Sequence, residues 1–465
     1  MNFVQAEFLV FFAVVLAGTW GLADLRRRNL WLLVASYYFY AHWDYRFCLL
    51  LAASTVCDHL IAGKISASSS RVWRRTLLTL SIGLNLSVLA YFKYANFFIE
   101  SATSLLRGLN WDPSTVTVLL PIGISFFTFQ TMSYTIDVYR GVVRPFDRWT
   151  DAALYVAFFP QLVAGPIVRA SELKPQITRR SVWSRGRFAG GAKLMLVGAV
   201  KKVLIADRLS ETVDVVFAAP ELYDRGTVAI AIAAYTFQIY YDFSGYTDMA
   251  IGGAKMLGFR FPRNFDHPYL STSIGEFWRR WHMTLSRWLR DYLYIPLGGN
   301  RRGVVRTSVN LMVTMALGGL WHGASWNFVG WGGGHGIALA ASRLIDRLPL
   351  SLRMPDRVRA AAGWFCTMSI VVSGWVLFRC HNLDDVGVMG KRIMAADGGL
   401  AWYPPLTLLA IALAVFEHAI HASRWRLWLK PSHRNPATPL MVGLMVWALV
   451  LYAPRGFQPF VYFQF

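Results

Sequence analysis

SVNLMVTMALGGLWHGASWNFVGWGGGHGIALAA, residues 308–341, places His322 between two apolar runs of membrane-helix character, Ser308–Leu320 and Val329–Ala341. An ionisable side chain at membrane depth is costly and is retained when it has a partner or faces a water-filled cavity. His322 is therefore a functional-site hypothesis. Gly319, Gly323 and Gly332–Gly334 lack side-chain bulk, which lets backbone or a ligand approach the ring. A core histidine hydrogen-bonded between helices is the other interpretation.

The composition of the whole chain is that of an integral membrane protein. Of 465 residues, 55% are hydrophobic and only 16% are charged, too little polar surface to coat a soluble protein of this length. We predict an all-α polytopic protein with roughly ten to twelve transmembrane helices, plus re-entrant or interfacial helices. The candidate segments, the first of them expected to be retained rather than cleaved, are Phe3–Gly21, Asn29–Tyr40, Tyr45–Ala62, Arg75–Phe98, Val116–Ile136, Ala152–Val168, Gly190–Ala206, Val228–Leu257, Val305–Leu320, Trp326–Leu344, Ala361–Phe378, Pro405–Ile420 and Leu440–Leu451.

The net charge of +21 is concentrated in particular loops. Loops poor in Lys and Arg, notably Glu100–Pro113 and Glu221–Arg225, fall between basic ones. This positive-inside pattern predicts cytoplasmic basic loops and an N-terminus on the outer side. Nucleic-acid binding is excluded because no soluble module places exposed aromatic residues beside basic ones. The basic clusters include Arg26–Arg28, Arg140–Arg148, Arg169–Arg187, Lys255–Arg306, Arg343–Arg359 and Arg424–Arg434.

Two carboxylates interrupt an apolar run at Asp242 and Asp248. Their spacing of six residues puts them on different faces of a regular helix. Ser244 and Gly245 between them are a plausible break in that helix. A direct catalytic role is open for the two carboxylates, and so is a structural one in which one caps a broken helix and the other bonds a neighbouring helix.

The segment Ser273–Tyr294 predicts one amphipathic helix that is too charged to span a membrane. Ser273 with Glu276 three positions later is a capping-box pattern. Interfacial binding to lipid headgroups is the simpler interpretation for most of its arginines and tryptophans. His282 lies beside the aromatic stripe and stands out, because a second histidine follows at His322. The stripe consists of Trp278, Trp281, Leu285, Trp288 and Tyr292.

Two histidines with many nearby arginines suggest acyl transfer from a phosphorylated carrier. A neutral imidazole suits the removal of a proton from an attacking hydroxyl group. Arginines at the cytoplasmic side suit the phosphates of coenzyme A or of a phosphopantetheine arm. No metal is expected, since His418 and His421 lack the usual helix spacing and only Glu417 is near them. The candidate donor-binding residues are Arg279, Arg280, Arg287, Arg290, Asn300 and Arg301.

An ordered set of motifs resembles the membrane-bound O-acyltransferase family, and within it the alginate O-acetylase branch of bacterial polysaccharide acetyltransferases. The motifs are Tyr241–Asp248, Trp278–Tyr294 with Pro296–Arg301, Trp321–Asn327, Pro121–Gln130, Phe158–Ile167 and Phe460–Phe465. The resemblance implies a single membrane-embedded domain over residues 1–465, with a catalytic core at about 240–340 and helices around a central funnel. It implies His322 as the catalytic histidine and His282 as the second key position, which in the family is Asn, Asp or His. From the charge pattern, both histidines are predicted to line one cavity that opens to the cytoplasmic side through the Arg260–Arg302 region. The residues expected to support this cavity are Asp242, Asp248, Trp281, Trp321 and Asn327.

The resemblance also implies a reaction and partners. Acetyl-CoA or an acetyl-carrier protein is the expected donor, with no permanently bound cofactor. A periplasmic partner resembling SGNH hydrolases is expected to place the acetyl group on an exopolysaccharide of alginate or cellulose type. The expected location is the bacterial inner membrane, with a periplasmic N-terminus. O-acyl transfer to peptidoglycan or D-alanyl transfer to teichoic acid, a transporter or flippase, and a non-catalytic scaffold are the alternatives. The missing internal repeat weakens the transporter hypothesis.

Overall fold

The structure is a computed structural model that describes residues 1–105, 118–345, 355–380, 382–394, 398–423, 437–452 and 460–461. Within these ranges every regular element is a helix, as predicted, and an isolated bridge pairs Tyr223 with Leu400. The sequence features that lie wholly or partly outside them are the loop Glu100–Pro113, the candidate segment Val116–Ile136, the basic clusters Arg343–Arg359 and Arg424–Arg434, and the motif Phe460–Phe465.

The chain divides into two compact units, Met1–Met195 with Thr247–Pro262, and Leu196–Tyr246 with Arg263–Phe465. Most of the predicted catalytic core, residues 240–340, belongs to the second unit. A single domain over the whole chain stays a prediction.

The first unit is built from helices with aromatic and apolar buried faces. Asp24 caps α2 by accepting a hydrogen bond from the Arg27 backbone, and Ser70 caps α4 in the same way. A π-helical turn, Ala90–Tyr94, joins α4 to α5. The helices are α1 (Ala6–Gly21), α2 (Leu25–Asp44), α3 (Arg46–Ala67), α4 (Arg71–Leu89), α5 (Ala95–Leu105), α6 (Ile124–Tyr139), α7 (Trp149–Ala157), α8 (Phe159–Leu162) and α9 (Ala170–Ile177), followed by α10 (Arg185–Val200), whose last residues enter the second unit.

The prediction of one spanning helix over Ala152–Val168 is wrong. The chain leaves helical geometry at Phe158, whose ψ is 110°, and α8 continues for only four residues. Pro160 explains the break, because its ring is tolerated in the first turn of a helix but not in the interior.

The second unit carries the candidate site. Its π-helical segment Lys201–Ala206 joins α10 to α11, and a second π-helical turn, Arg290–Tyr294, follows α14. The helices are α11 (Asp207–Ala218), α12 (Arg225–Met256, whose last residues belong to the first unit), α13 (Ile274–Arg280), α14 (Met283–Leu289), α15 (Gly303–His322), α16 (Trp326–Ile345), α17 (Asp356–Arg379), α18 (Leu383–Met394), α19 (Pro405–Ala422) and α20 (Ala437–Leu451).

Five helical segments among the described residues are long and apolar enough to cross a membrane, which supports the membrane class. They are Arg46–Ala67, Arg71–Thr103, Gly303–His322, Asp356–Arg379 and Pro405–Ala422. The predicted total of ten to twelve spans stays a prediction. Helix α12, with 32 residues, exceeds the length that a bilayer requires but carries buried polar groups that lower its mean hydropathy.

Helix α12 is continuous, so the predicted break at Ser244 and Gly245 is wrong. Gly245 instead permits close helix packing. A Cβ atom there would lie 2.8 Å from the backbone oxygen of Gly198. A glycine inside a helix costs roughly 0.5–1 kcal/mol relative to alanine, but here it leaves the space that the neighbouring backbone occupies.

Candidate active site

His322 lies at the C-terminal end of α15 and is buried. The helix ends there because Gly323 adopts extended backbone geometry. Two glycines let α15 and α16 pack closely: a Cβ atom on Gly319 would lie 2.0 Å from the Phe328 carbonyl oxygen, and one on Gly332 would lie 2.1 Å from that of Met315. The glycines therefore let the backbones of the two helices approach each other, whereas a close approach of backbone or ligand to the His322 ring stays a prediction.

His282 lies between α13 and α14, where the predicted single amphipathic helix is interrupted. Its backbone is left-handed, with φ of 39°, and its side chain is completely buried. Ser273 accepts the hydrogen bond from the Glu276 backbone as predicted, but the Glu276 carboxylate accepts from the Thr272 backbone instead of from Ser273. The prediction of a continuous helix is thus wrong. Of the predicted capping box, the Ser273 hydrogen bond is confirmed, whereas the reciprocal one from Glu276 to Ser273 is not formed.

Asn264 fixes the tautomer of His282. The backbone N–H of Thr284 lies 3.1 Å from Asn264 Oδ1, and a backbone N–H only donates, so this amide atom is the acceptor oxygen. The His282 Nδ1 atom lies 3.2 Å from the same oxygen and must carry its hydrogen. In the neutral ring, Nε2 then bears the lone pair. Burial lowers the pKa of His282, which lies outside the spanning helices, to about 3.

The two predicted histidines are neighbours in the second unit. Their ring centroids are 6.4 Å apart. Phe243 lies edge-on to His282 at 4.8 Å, and Trp331 lies edge-on to His322 at 5.2 Å. Phe378 contacts His322 from another direction at 5.4 Å. The surroundings of both imidazoles are mostly aromatic, and the opening of a shared cavity to the cytoplasm stays a prediction.

His335, on α16, extends this site and was missed by the sequence analysis. Its ring contacts Trp331 at 5.0 Å and Trp278 at 5.3 Å, and it is buried. Neither of its ring nitrogens has a hydrogen-bond partner among the described residues, and the same holds for the indole nitrogens of Trp278, Trp331 and Trp375. We call His282, His322 and His335 the aromatic histidine site.

The predicted supporting residues fall in different places. Trp281 is fully buried, and its ring contacts that of Trp375 in a tilted arrangement with centroids 4.7 Å apart, so it belongs to the wall of the site. Trp321 lies 4.9 Å from the His322 ring. Asn327 donates a hydrogen bond to the Cys380 carbonyl at 2.8 Å, which joins the start of α16 to the end of α17.

Asp242 forms a buried ion pair. Its carboxylate lies 2.5 Å from Lys202 Nζ and accepts a hydrogen bond from the Val461 backbone. Lys202 also pairs with Asp207 at 2.9 Å. The contacts of Asp242 fit the structural interpretation, in which one carboxylate bonds a neighbouring helix, rather than a direct catalytic role. Asp248 is half-buried and belongs to the first unit.

The stripe on the predicted helix faces the protein interior. All five members are buried, so the interfacial interpretation is wrong for Trp278, Trp281 and Trp288. The helix break at His282 turns the stripe toward buried partners such as Phe277 and Trp375.

The candidate donor-binding residues lie on α13, on α14 and in the segment that follows α14. Arg280 pairs with Glu276 at 2.7 Å, and Arg290 pairs with Asp291 at 2.6 Å. Arg287 is half-buried. The exposed members of the set are Arg279, Arg290, Asn300 and Arg301. Exposed arginines near a site remain available to an anionic ligand, and their role in donor binding stays a prediction.

Comparison with known proteins gives a consistent picture. Residues 149–380 match the sequence profile of the membrane-bound O-acyltransferase family. A probable alginate O-acetylase of Azotobacter vinelandii is 46% identical, with an alignment that covers 100% of both chains. A peptidoglycan O-acetyltransferase of Helicobacter pylori is 36% identical over 80% of this chain and 74% of its own length. A teichoic acid D-alanyltransferase of Streptococcus thermophilus is 26% identical over 57% of this chain and 69% of its own.

Proposed function

Because the chain belongs to the membrane-bound O-acyltransferase family and is an acyltransferase, we propose that it moves an acetyl group across the inner membrane for the acetylation of an exopolysaccharide. The donor is cytoplasmic acetyl-CoA or an acetyl-carrier protein, and the acceptor is a periplasmic SGNH-hydrolase-like partner. The N-terminus lies in the periplasm. The full-length similarity to a probable alginate O-acetylase favours a polymer of alginate or cellulose type.

The adjacency of His282 and His322 carries this proposal. Their ring centroids are 6.4 Å apart, close enough for both imidazoles to contact one acetyl thioester and one hydroxyl group. His322 takes the proton of the attacking hydroxyl as its oxygen forms a bond to the acetyl carbon. The carbon–sulfur bond breaks, and the thiolate that leaves is protonated to a thiol. His322 then returns to its neutral form.

His282 has a different part in the same step. Its lone pair on Nε2 accepts a hydrogen bond, while Nδ1–H is engaged by Asn264. Its lowered pKa, caused by burial, keeps the ring neutral at physiological pH and makes it a weak proton acceptor. We therefore assign His282 to orienting the donor, by accepting a hydrogen bond from an amide N–H of the pantetheine arm. The donor arm passes the indole N–H groups of Trp278, Trp331 and Trp375, which suit the amide oxygens of a pantetheine chain.

A genetic experiment tests the function as a whole. The gene is deleted, and the acetyl content of exopolysaccharide and of peptidoglycan is measured by NMR before and after complementation. Complementation by the wild type and by His42→Ala, an exposed histidine outside the site, is expected to restore exopolysaccharide acetylation, whereas His322→Ala is not. A loss confined to peptidoglycan would reject the proposed polymer and support the function named for the Helicobacter pylori relative.

A further inference from the structure

A second group of histidines lies in the second unit, near the C-terminal end of α19. His267 Nε2 lies 2.9 Å from Glu417 Oε1, and His267 Nδ1 lies 3.6 Å from Asp266 Oδ1. The rings of His267 and His421 are nearly parallel, with centroids 3.3 Å apart. We call Asp266, His267, Glu417 and His421 the carboxylate histidine cluster.

The hydrogen bond from His267 to Glu417 determines which nitrogen is available. An ionised carboxylate only accepts, so Nε2 carries the hydrogen and Nδ1 of the neutral ring bears the lone pair. That Nδ1 atom is buried and makes no hydrogen bond to any described residue. A histidine that binds a metal commonly donates its other ring N–H to a carboxylate in this way.

The distances within the cluster suit one cation. Nδ1 of His267 and Oδ1 of Asp266 are two electron-pair donors 3.6 Å apart. Two ligands of one tetrahedral zinc ion, with bonds of about 2.1 Å, lie roughly 3.4 Å from each other. Donor atoms of Asp266, His267 and His421 all lie within 4.8 Å of one another.

We propose that Asp266, His267 and His421 bind a divalent transition-metal ion of the zinc class, with Glu417 orienting His267. Two imidazoles and one carboxylate favour such an ion over Mg²⁺, which prefers oxygen ligands. The Asp266 side chain is 35% exposed, so a water molecule reaches the fourth position. The sequence predicts no metal, because the spacing of His418 and His421 along α19 does not suit one and His267 comes from a distant loop.

The position of the metal gives it a structural task. His267 and Asp266 lie in the same loop as Asn264, which holds His282 through Oδ1. The Asp266 backbone also donates to the Arg280 carbonyl, just before the break that positions His282. A metal ion joining this loop to α19 stabilises the support of the aromatic histidine site. Metal binding depends on the carboxylate histidine cluster alone and not on the identity of the acetyl acceptor.

Metal titration of the purified full-length chain tests the proposal. Protein in detergent is stripped with a chelator and titrated with Zn²⁺ by calorimetry, with bound metal counted by mass spectrometry. One ion per chain is expected, with Mg²⁺ not competing. His421→Ala and Asp266→Asn weaken binding by at least about tenfold, and Glu417→Gln weakens it by about 10- to 100-fold. His42→Ala, whose side chain is exposed in the first unit, binds as the wild type does.

X-ray absorption of the zinc-loaded wild type provides a second measurement that needs no variant. Two imidazole ligands and oxygen ligands at about 2.0–2.2 Å are expected. A spectrum with thiolate ligands or with oxygen ligands alone would overturn the proposal. So would a wild type that binds no more zinc than His421→Ala, which would leave the cluster as an ion-paired histidine network.

Discussion

The aromatic histidine site and the carboxylate histidine cluster use the same residue type in opposite surroundings. His282 and His322 lie among Phe243, Trp331 and Phe378, whereas His267 contacts Asp266 and Glu417. Aromatic burial favours the neutral imidazole, and carboxylates favour the charged or metal-bound form. The protonation state and ligand preference of a histidine therefore depend on its neighbours in the fold, and not on its presence in an apolar sequence.

The two regions share one backbone feature. His267, with φ of 47°, and His282, with φ of 39°, are the non-glycine residues with positive φ among those described. Such geometry costs energy and persists when the surroundings determine it. In each region a side-chain acceptor supplies that determination: Glu417 for His267 and Asn264 for His282.

The largest effect is expected at the aromatic histidine site. In purified protein, His322→Ala should lower acyl transfer from a thioester by about 10²–10⁴-fold, because the proton of the attacking hydroxyl loses its acceptor. His282→Ala should lower it less, since His282 only orients the donor. Initial rates of thioester consumption, measured at equal amounts of folded protein, check both values. A folded His322→Ala variant with near wild-type rates would refute its assignment.

A buried ion pair that includes no residue of either histidine group tests the stability of the second unit. Lys202→Met leaves Asp207 and Asp242 buried without their cation and should reduce the free energy of unfolding by about 3–5 kcal/mol. Asp242→Asn should reduce the free energy of unfolding by less, because Lys202 remains paired with Asp207. Denaturant titration in micelles measures the two. Equal losses of unfolding free energy in the two variants would show that Asp207 gains no stabilisation from Lys202.

The packing of α15 against α16 positions His322. Gly319→Ala places a methyl group 2.0 Å from the Phe328 carbonyl oxygen and should destabilise the protein by about 1–3 kcal/mol. Gly333→Ala, on the same helix pair, meets no atom within 4 Å and is the matched control. The control should be neutral or slightly stabilising. Equal thermal unfolding midpoints for the two variants would contradict this packing.

The last of these predictions concerns the pH dependence of stability. Unfolded His282 has a pKa near 6.5, and burial lowers the folded value to about 3. Below pH 6.5 only the unfolded state binds this proton, so stability falls toward pH 3 by up to ~1.4 kcal/mol per pH unit. His282→Asn, which tolerates a left-handed backbone, should lose less stability between pH 6.5 and 5 than the wild type. Parallel pH profiles would mean that His282 is not kept neutral.

Much of the architecture could be predicted from the sequence, because it depends on local composition. The helical membrane class follows from the apolar runs, and His322 stands out because a polar group between such runs needs a reason. His282 was selected for its aromatic neighbours. The structure brings these two residues together, although they are separated along the chain by the whole of α15.

What could not be predicted depends on contacts between distant residues. The break at His282 carries no Gly or Pro signal, and it exists because Asn264 bonds both His282 and Thr284. Ser244 and Gly245 resemble a break, but the Gly198 backbone uses the space that Gly245 leaves. His335 lies in a glycine-rich run that indicated close packing, and its aromatic neighbours come from α13 and α16.

The most direct test follows labelled acetyl groups through the reconstituted chain. Proteoliposomes receive radiolabelled acetyl donor on the cytoplasmic side, with long polymer on the other side and the periplasmic partner present or absent. The account predicts that the partner becomes acetylated, that polymer is modified only when the partner is present, and that His322→Ala abolishes both. A bulky hydrated polymer would lose about 1–3 kcal/mol for each hydroxyl left unpaired at membrane depth, whereas an acetyl group would not. Efficient acetylation of polymer by the chain alone would contradict the proposed transfer of the acetyl group through the periplasmic partner.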